Sequence, residues 1–204
     1  VRRSRFIAAT ISYYTMYVYG SGGQIDHDGS NRHSTGDIML YFNTPSSNNL
    51  FVLNQSTVDY VYYQQTSTAH VTNNVTVAIL GSTVNYMYLE PGSTTGTNVR
   101  IDGSSVFYTS WTSGTMTNST LTASNVVGSY WYMSGTTIKD STAAILDSTF
   151  SVAYYVSLSD ARDGSLIVSN RSTTGYCYLL GAQTGRASYI LDQATVSTTN
   201  AYAV

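Results

Sequence analysis

Residues 99–148 read VRIDGSSVFYTSWTSGTMTNSTLTASNVVGSYWYMSGTTIKDSTAAILDS, and a small polar step returns along them at nearly equal intervals. The step is Ile101-Asp102-Gly103, then Ala123-Ser124-Asn125, then Leu146-Asp147-Ser148. Counted forward from Asp102, it falls at Ser124, Asp147, Ser169 and Asp192, about 22 or 23 residues apart. Counted backward, it falls at Gly81, Asp59 and, most weakly, Asp37. A chain that returns to one corner this often is rounding the same corner in successive coils.

Tyrosine gives a second marker with the same period. Tyr-x-Tyr pairs stand at Tyr17/Tyr19, Tyr60/Tyr62, Tyr86/Tyr88, Tyr130/Tyr132 and Tyr176/Tyr178, with Tyr108 and Tyr154 single in the coils between. The surrounding stretches alternate. In VNYMYL, GSYWYM and TGYCYLL, successive side chains point to opposite faces, as in a strand. NVTVAIL and GSLIVS are short β-branched or aliphatic runs bounded by Gly, Ser and Asn. Each repeat therefore holds two or three short strands. It is too short for a propeller blade of about 40 residues, and it suits one coil of a solenoid.

A single coil cannot bury its own apolar face, so coils stack and share one core. Stacked strands lie about 4.8 Å apart, so roughly nine coils give a rod on the order of 40 Å long. The expected fold is all-β: a single-domain parallel β-solenoid with coils of about 22 residues. Residues 1–55 read as less regular N-terminal coils or a cap, 56–193 as the regular repeats, and 194–204 as a C-terminal coil or tail.

Composition agrees. Of 204 residues, 42% are hydrophobic and only 10% charged, against about 25% charged in an ordinary soluble domain. Lys139 is the one lysine and Glu90 the one glutamate, while tyrosine numbers 19. A charge repeated in every coil would face its own copy about 5 Å away, which destabilises a stack. Thr, Ser and Asn columns can hydrogen-bond along it instead. The net charge of −2 offers no broad pull toward nucleic acid. No apolar run approaches the ~18 residues of a membrane span. The basic start, Arg2, Arg3 and Arg5, reads as a solvated cluster at a processed or truncated terminus. Cys177 is the one cysteine, and it reads as a packed side chain with no basic neighbour to activate it.

The segments YLEPGSTTGTNVRIDGS and WTSGTMTNSTLTASN resemble the degenerate repeats of bacterial autotransporter passenger domains, in particular self-associating adhesins with AIDA-type repeats. The resemblance covers residues 56–193. It implies a right-handed β-helix, an extracellular or cell-surface location, and a role in adhesion or aggregation.

Candidate sites are few. The tyrosine columns, Tyr86, Tyr88, Tyr108, Tyr130, Tyr132, Tyr176 and Tyr178 with Trp111, form an expected aromatic face able to meet sugar rings, or else a structural ladder. IDHDGSNRHSTGD (25–37) reads as a polar loop in which Asp26, Asp28 and Asp37 could hold a cation. Asn31 and Asp37 stand where a calcium-binding EF-hand needs Gly and Glu, so that pattern is not met. Asp160 and Asp163, beside Arg162, are the best local carboxyl pair for glycoside hydrolysis, and they sit in what reads as an ordinary turn. No nucleophile elbow, P-loop or zinc-ligand spacing occurs.

The expected function is therefore non-catalytic and without a cofactor. It is adhesion, self-association or a filament subunit, with copies of itself or surface glycans as partners and a homo-oligomer or filament as the assembly. Open end coils would favour end-to-end assembly. The alternative is a phage-type tail fibre or tailspike segment, or a carbohydrate-binding module, recognising surface polysaccharide.

Overall fold

The computed structural model describes the backbone of residues 5–9, 15–19, 24–28, 34–42, 50–65, 71–90, 92–112, 114–162, 166–183 and 188–203. Side chains are described mainly within 50–64, 74–90, 92–112, 114–134, 137–157 and 170–178. Among these residues every regular element is a strand. In chain order they are β1 (Arg5–Ala9), β2 (Thr15–Tyr19), β3 (Gln24–Asp28), β4 (Ser34–Phe42), β5 (Leu50–Asn54), β6 (Thr57–Gln65) and β7 (Val71–Asn73). Next come β8 (Thr76–Leu80), β9 (Thr83–Glu90), β10 (Ser93–Thr95), β11 (Asn98–Asp102), β12 (Ser105–Thr112), β13 (Thr115–Thr117) and β14 (Thr120–Ser124). The last are β15 (Val127–Lys139), β16 (Thr142–Leu146), β17 (Thr149–Arg162), β18 (Leu166–Asn170), β19 (Thr173–Gln183), β20 (Ser188–Asp192) and β21 (Thr195–Ala203).

These strands form a parallel β-solenoid. The first face is a sheet of nine strands in the order β1-β3-β5-β8-β11-β14-β16-β18-β20. The second face runs β2-β4-β6-β9-β12-β15-β17-β19-β21. A narrow third face, β7-β10-β13, continues into the C-terminal part of β15. The expected period holds through the middle: Thr76 pairs with Asn98, Asn98 with Thr120 and Thr120 with Thr142, 22 residues at each step. Elsewhere the coils stretch. Leu50 pairs with Thr76, and Thr142 pairs with Leu166. The N-terminal segment is irregular in coil length but not in topology, since β1 to β4 already pair in parallel with the strands that follow.

The corners explain the recurring polar step. One column of residues, Gln55, Gly81, Gly103, Asn125, Asp147, Arg171 and Gln193, has positive φ between 46° and 56°. This left-handed conformation turns the chain from the first face to the second. The expected series meets the corner column at Gly81 and Asp147, falls one residue short of it at Asp102, Ser124 and Asp192, and two short at Ser169. Asp102 pairs with Ser124 and Asn170 with Asp192 at the ends of first-face strands, whereas Asp147 occupies the corner itself. Asp59 lies on the second face, where its carboxylate accepts from Asn85 at 2.7 Å. The acids are therefore not one alternating column. At the opposite edge Gly114 has φ +93°, and a Cβ there would stand 1.6 Å from the Gly92 carbonyl oxygen, so only glycine fits.

From Gln55 to Arg171 the residue after each first-to-second corner is buried, and in all but one coil, that of Val126, it is serine. Its backbone N–H needs a partner, because a buried unpaired donor costs about 1–3 kcal/mol. The hydroxyl of the next coil supplies one. Ser56 N–H donates to Ser82 Oγ, Ser82 N–H to Ser104 Oγ, and Val126 N–H to Ser148 Oγ, each at 3.1 Å. Each hydroxyl in turn donates to a carbonyl two residues back, as Ser148 does to Leu146 at 2.7 Å.

The core lies between the faces as stacked inward columns. On the first face Leu53, Ile79, Ile101, Ala123 and Ile145 follow one another, and all are buried. On the second face Tyr63, Leu89, Trp111, Met133 and Val156 do the same. Sizes compensate within a column. Gly128 leaves room that Phe150 in the next coil fills, and Phe150 meets Trp131 edge-on at 5.6 Å.

Candidate functional site

Four second-face strands, β6, β9, β12 and β15, carry two consecutive outward residues before alternation resumes. Asp59-Tyr60, Asn85-Tyr86, Phe107-Tyr108 and Ser129-Tyr130 all show this, followed by a buried residue. The first of each pair drops out of the strand register, as Phe107 does between Val106 and Tyr108. Beyond that kink the outward positions fall into two columns. One runs Tyr60, Tyr86, Tyr108, Tyr130, Ala153, Tyr176. The other runs Tyr62, Tyr88, Ser110, Tyr132, Tyr155, Tyr178.

The rings form one continuous ribbon over six coils. Tyr60 stacks on Tyr86 with centroids 4.9 Å apart, and Tyr155 stacks on Tyr178 at 4.6 Å with planes 3° from parallel. Where a column lacks its tyrosine, neighbours bridge diagonally: Tyr108 reaches Tyr88 at 5.5 Å and Tyr132 at 5.4 Å. Phe107 adds edge contacts to Tyr86 and Tyr130. Ser110 and Ala153 point outward yet are only 7% and 8% exposed, because the ribbon closes over them. Each ring contact of this kind contributes about 0.5–1.5 kcal/mol beyond burial.

The arrangement decides what the ribbon presents. Tyr60/Tyr86 and Tyr155/Tyr178 stack face to face along the coil axis, while the other register partners are tilted by 44° to 59°, so the ribbon presents a mixture of ring faces, ring edges and phenol hydroxyls. Burial among neighbours pushes the Tyr88 and Tyr132 phenols above their ordinary value, and facing tyrosines push them further the same way. At one margin Glu90 accepts from Tyr62 Oη and Gln64 Nε2, both at 3.0 Å.

Trp111 is not part of this surface. It is 2% exposed and lies in the core column with Leu89 and Met133, and Trp131 is equally buried. Tyr154 also turns inward, paired between Trp131 and Cys177. An irregularity at 151–152 shifts the phase of β17, and Tyr155 takes the outward place. Tyr155, Tyr60, Tyr62 and Phe107 are the ribbon members that sequence reading did not assign to the site. The lengthened coil from Thr142 to Leu166 was the available signal for the first.

The other candidates separate. Asp26 and Asp28 lie in β3 on the first face, and Asp37 lies in β4 on the second, so the expected loop is largely strand, and residues 29–33 lie outside the described residues. Asp37 pairs with Tyr60, at the head of the tyrosine column. Asp160 lies in β17, and Asp163 lies outside the described residues. Cys177 is buried, and burial raises its thiol to about 11, far from a thiolate at neutral pH. Arg100 pairs with Asp102, and Arg171 grips Asp147 with both ends of its guanidinium at 2.6 and 2.7 Å; both carboxylates are held below their ordinary range by these arginines first. Among the described residues no three His, Cys, Asp or Glu side chains gather as metal ligands. Among them, too, no helix is long and apolar enough to cross a membrane.

Compared with known proteins, the chain matches no family model, no curated protein and no solved structure. The solenoid thus rests on its own strand pairing, and the passenger-repeat resemblance contributes only an expectation about function.

Proposed function

We propose that this solenoid is a non-catalytic adhesive element of a secreted or surface-displayed protein. It acts by many weak contacts along the tyrosine ribbon, to surface glycans or to copies of itself. The observation that supports this is the ribbon's continuity over six coils. A row of phenol hydroxyls on ring edges offers donors and acceptors at each coil, about 4.8 Å apart. Such a surface suits a repetitive, hydroxyl-rich partner, and regularly spaced weak contacts gain affinity together when one chain engages several of them.

Substitution along one column separates contact from scaffold. Tyr86→Phe, Tyr130→Phe and Tyr176→Phe together keep the stacked rings and remove three hydroxyls. The expected result is an unchanged melting temperature with at least a tenfold loss of retention on polysaccharide-coated beads or of self-association in sedimentation, about 1.4 kcal/mol. Retention and self-association that both match the parent chain would reject the ribbon as the contact surface.

A further inference from the structure

We propose that Tyr155–Tyr178 and Tyr60–Tyr86 are sites of oxidative coupling that form dityrosine bonds between adjacent coils. The proposal rests on ring geometry, not on the adhesive reading. These two pairs differ from the rest of the ribbon. Their centroids are 4.6 and 4.9 Å apart and their planes lie within 13° of parallel. Among the described residues, the other contacts between tyrosines of neighbouring coils are tilted, at 5.4 to 6.2 Å. The same-strand pairs Tyr86/Tyr88, Tyr130/Tyr132 and Tyr176/Tyr178 are near-parallel but lie 6.0 to 6.5 Å apart. All four rings of the proposed pairs are at least partly exposed, so a dissolved oxidant reaches them. Each pair also joins register partners of two strands that the backbone already holds side by side.

The chemistry balances with a peroxide as oxidant, delivered through a one-electron catalyst such as a haem peroxidase. Each phenol gives up one electron and its hydroxyl proton and becomes a phenoxyl radical. The two radicals join through their ortho carbons. The hydrogens on those carbons then move to the phenoxyl oxygens and restore both rings. The two electrons and two protons released reduce one peroxide to two waters, and the product is lighter than the parent by two hydrogens. Held in contact, a ring meets its register partner far more often than any ring in solution, which makes coupling intramolecular and selective.

The test treats the intact chain with peroxidase and hydrogen peroxide, then digests it and maps the linked peptides by mass spectrometry. The expected result is monomeric chain in which links 155–178 and 60–86 exceed every other tyrosine link about tenfold. Tyr155→Phe, which keeps the ring, should remove the first link and leave the second. Tyr86→Phe should do the reverse. In denaturant the preference should vanish while total coupling continues. Links formed mainly between chains would overturn the proposal. So would links spread evenly over the ribbon, or an unlinked native chain under conditions where the denatured chain couples.

Discussion

The two broad outer faces of the solenoid share one pairing rule and differ in what they repeat. On the first face the outward rungs change from coil to coil. Thr76, Asn98, Thr120 and Thr142 share one column, Ala78, Arg100, Thr122 and Ala144 a second, and Leu80, Asp102, Ser124 and Leu146 a third. On the second face tyrosine recurs in both columns beyond the kink. The first face shows what the fold requires of an outward rung, which is little beyond tolerance of its neighbours. The tyrosines of the second face thus exceed that requirement, and this difference is what points to a surface with a task.

If corners and inward columns carry the fold, the largest effect should come from an edge that neither outer face includes. Gly114→Ala places a methyl on the Gly92 carbonyl, and the coil must move. The expected loss is about 4 kcal/mol or more, read by chemical denaturation, since backbone strain of this kind belongs to the severe class. A loss under 1 kcal/mol would mean that the third face yields easily.

Next comes the buried serine row. Ser148→Ala leaves the Val126 N–H without its acceptor, and the expected cost is about 1–3 kcal/mol in the same experiment. Ser148→Thr keeps a hydroxyl and should recover part of it.

A smaller effect should appear at high pH and belong to the second face alone. The Tyr88 and Tyr132 phenols lie above the ordinary phenol value of 10.0 in the folded chain, so the unfolded chain releases those protons first. Their contribution is complete below pH 10 and is lost as pH rises through the higher folded value. Melting temperature should therefore fall above pH 10, and Tyr88→Phe with Tyr132→Phe should flatten that fall. An equal slope in parent and variant would remove the ribbon from the account.

The smallest effect should come from the first face. Arg100→Ala breaks an exposed ion pair with Asp102 and should change stability by less than about 0.5 kcal/mol at moderate salt. A larger loss would show that the two faces are more alike than their columns suggest.

The period, the strands and the stacking were legible because each coil must turn, bury one side and turn again. The corner phase was less so. Left-handed φ is held here by Gln55, Asp147 and Arg171 as well as by Gly81 and Asn125, so no one residue type marks the corner. Ser56, Ser82, Ser104, Ser148 and Ser172 were the better marker, since burial with a hydroxyl is what the turn demands. Trp111 could have been placed: it stands three residues after Tyr108, an odd step that puts it on the opposite side of a strand. Tyr155 could not, because the extra residue of an irregular strand reverses every side chain beyond it. Which ring pairs stack and which tilt depends on side-chain angles that a period does not encode.

Among the described corners the serine row is broken twice, where Val126 brings no hydroxyl to the Ser104 coil and Ala194 brings none to the Ser172 coil. Backbone bonds still cross the first of these junctions, from Gly103 to Ser124 and from Val127 to Ser104, both at 3.0 Å. A rod pulled along its length parts at its least-fastened joint. Where Val126 leaves a gap, the neighbouring corner closes it: Thr97 N–H donates to Ser119 Oγ at 3.0 Å across the same pair of coils, so tension there meets a hydroxyl stitch displaced by one corner.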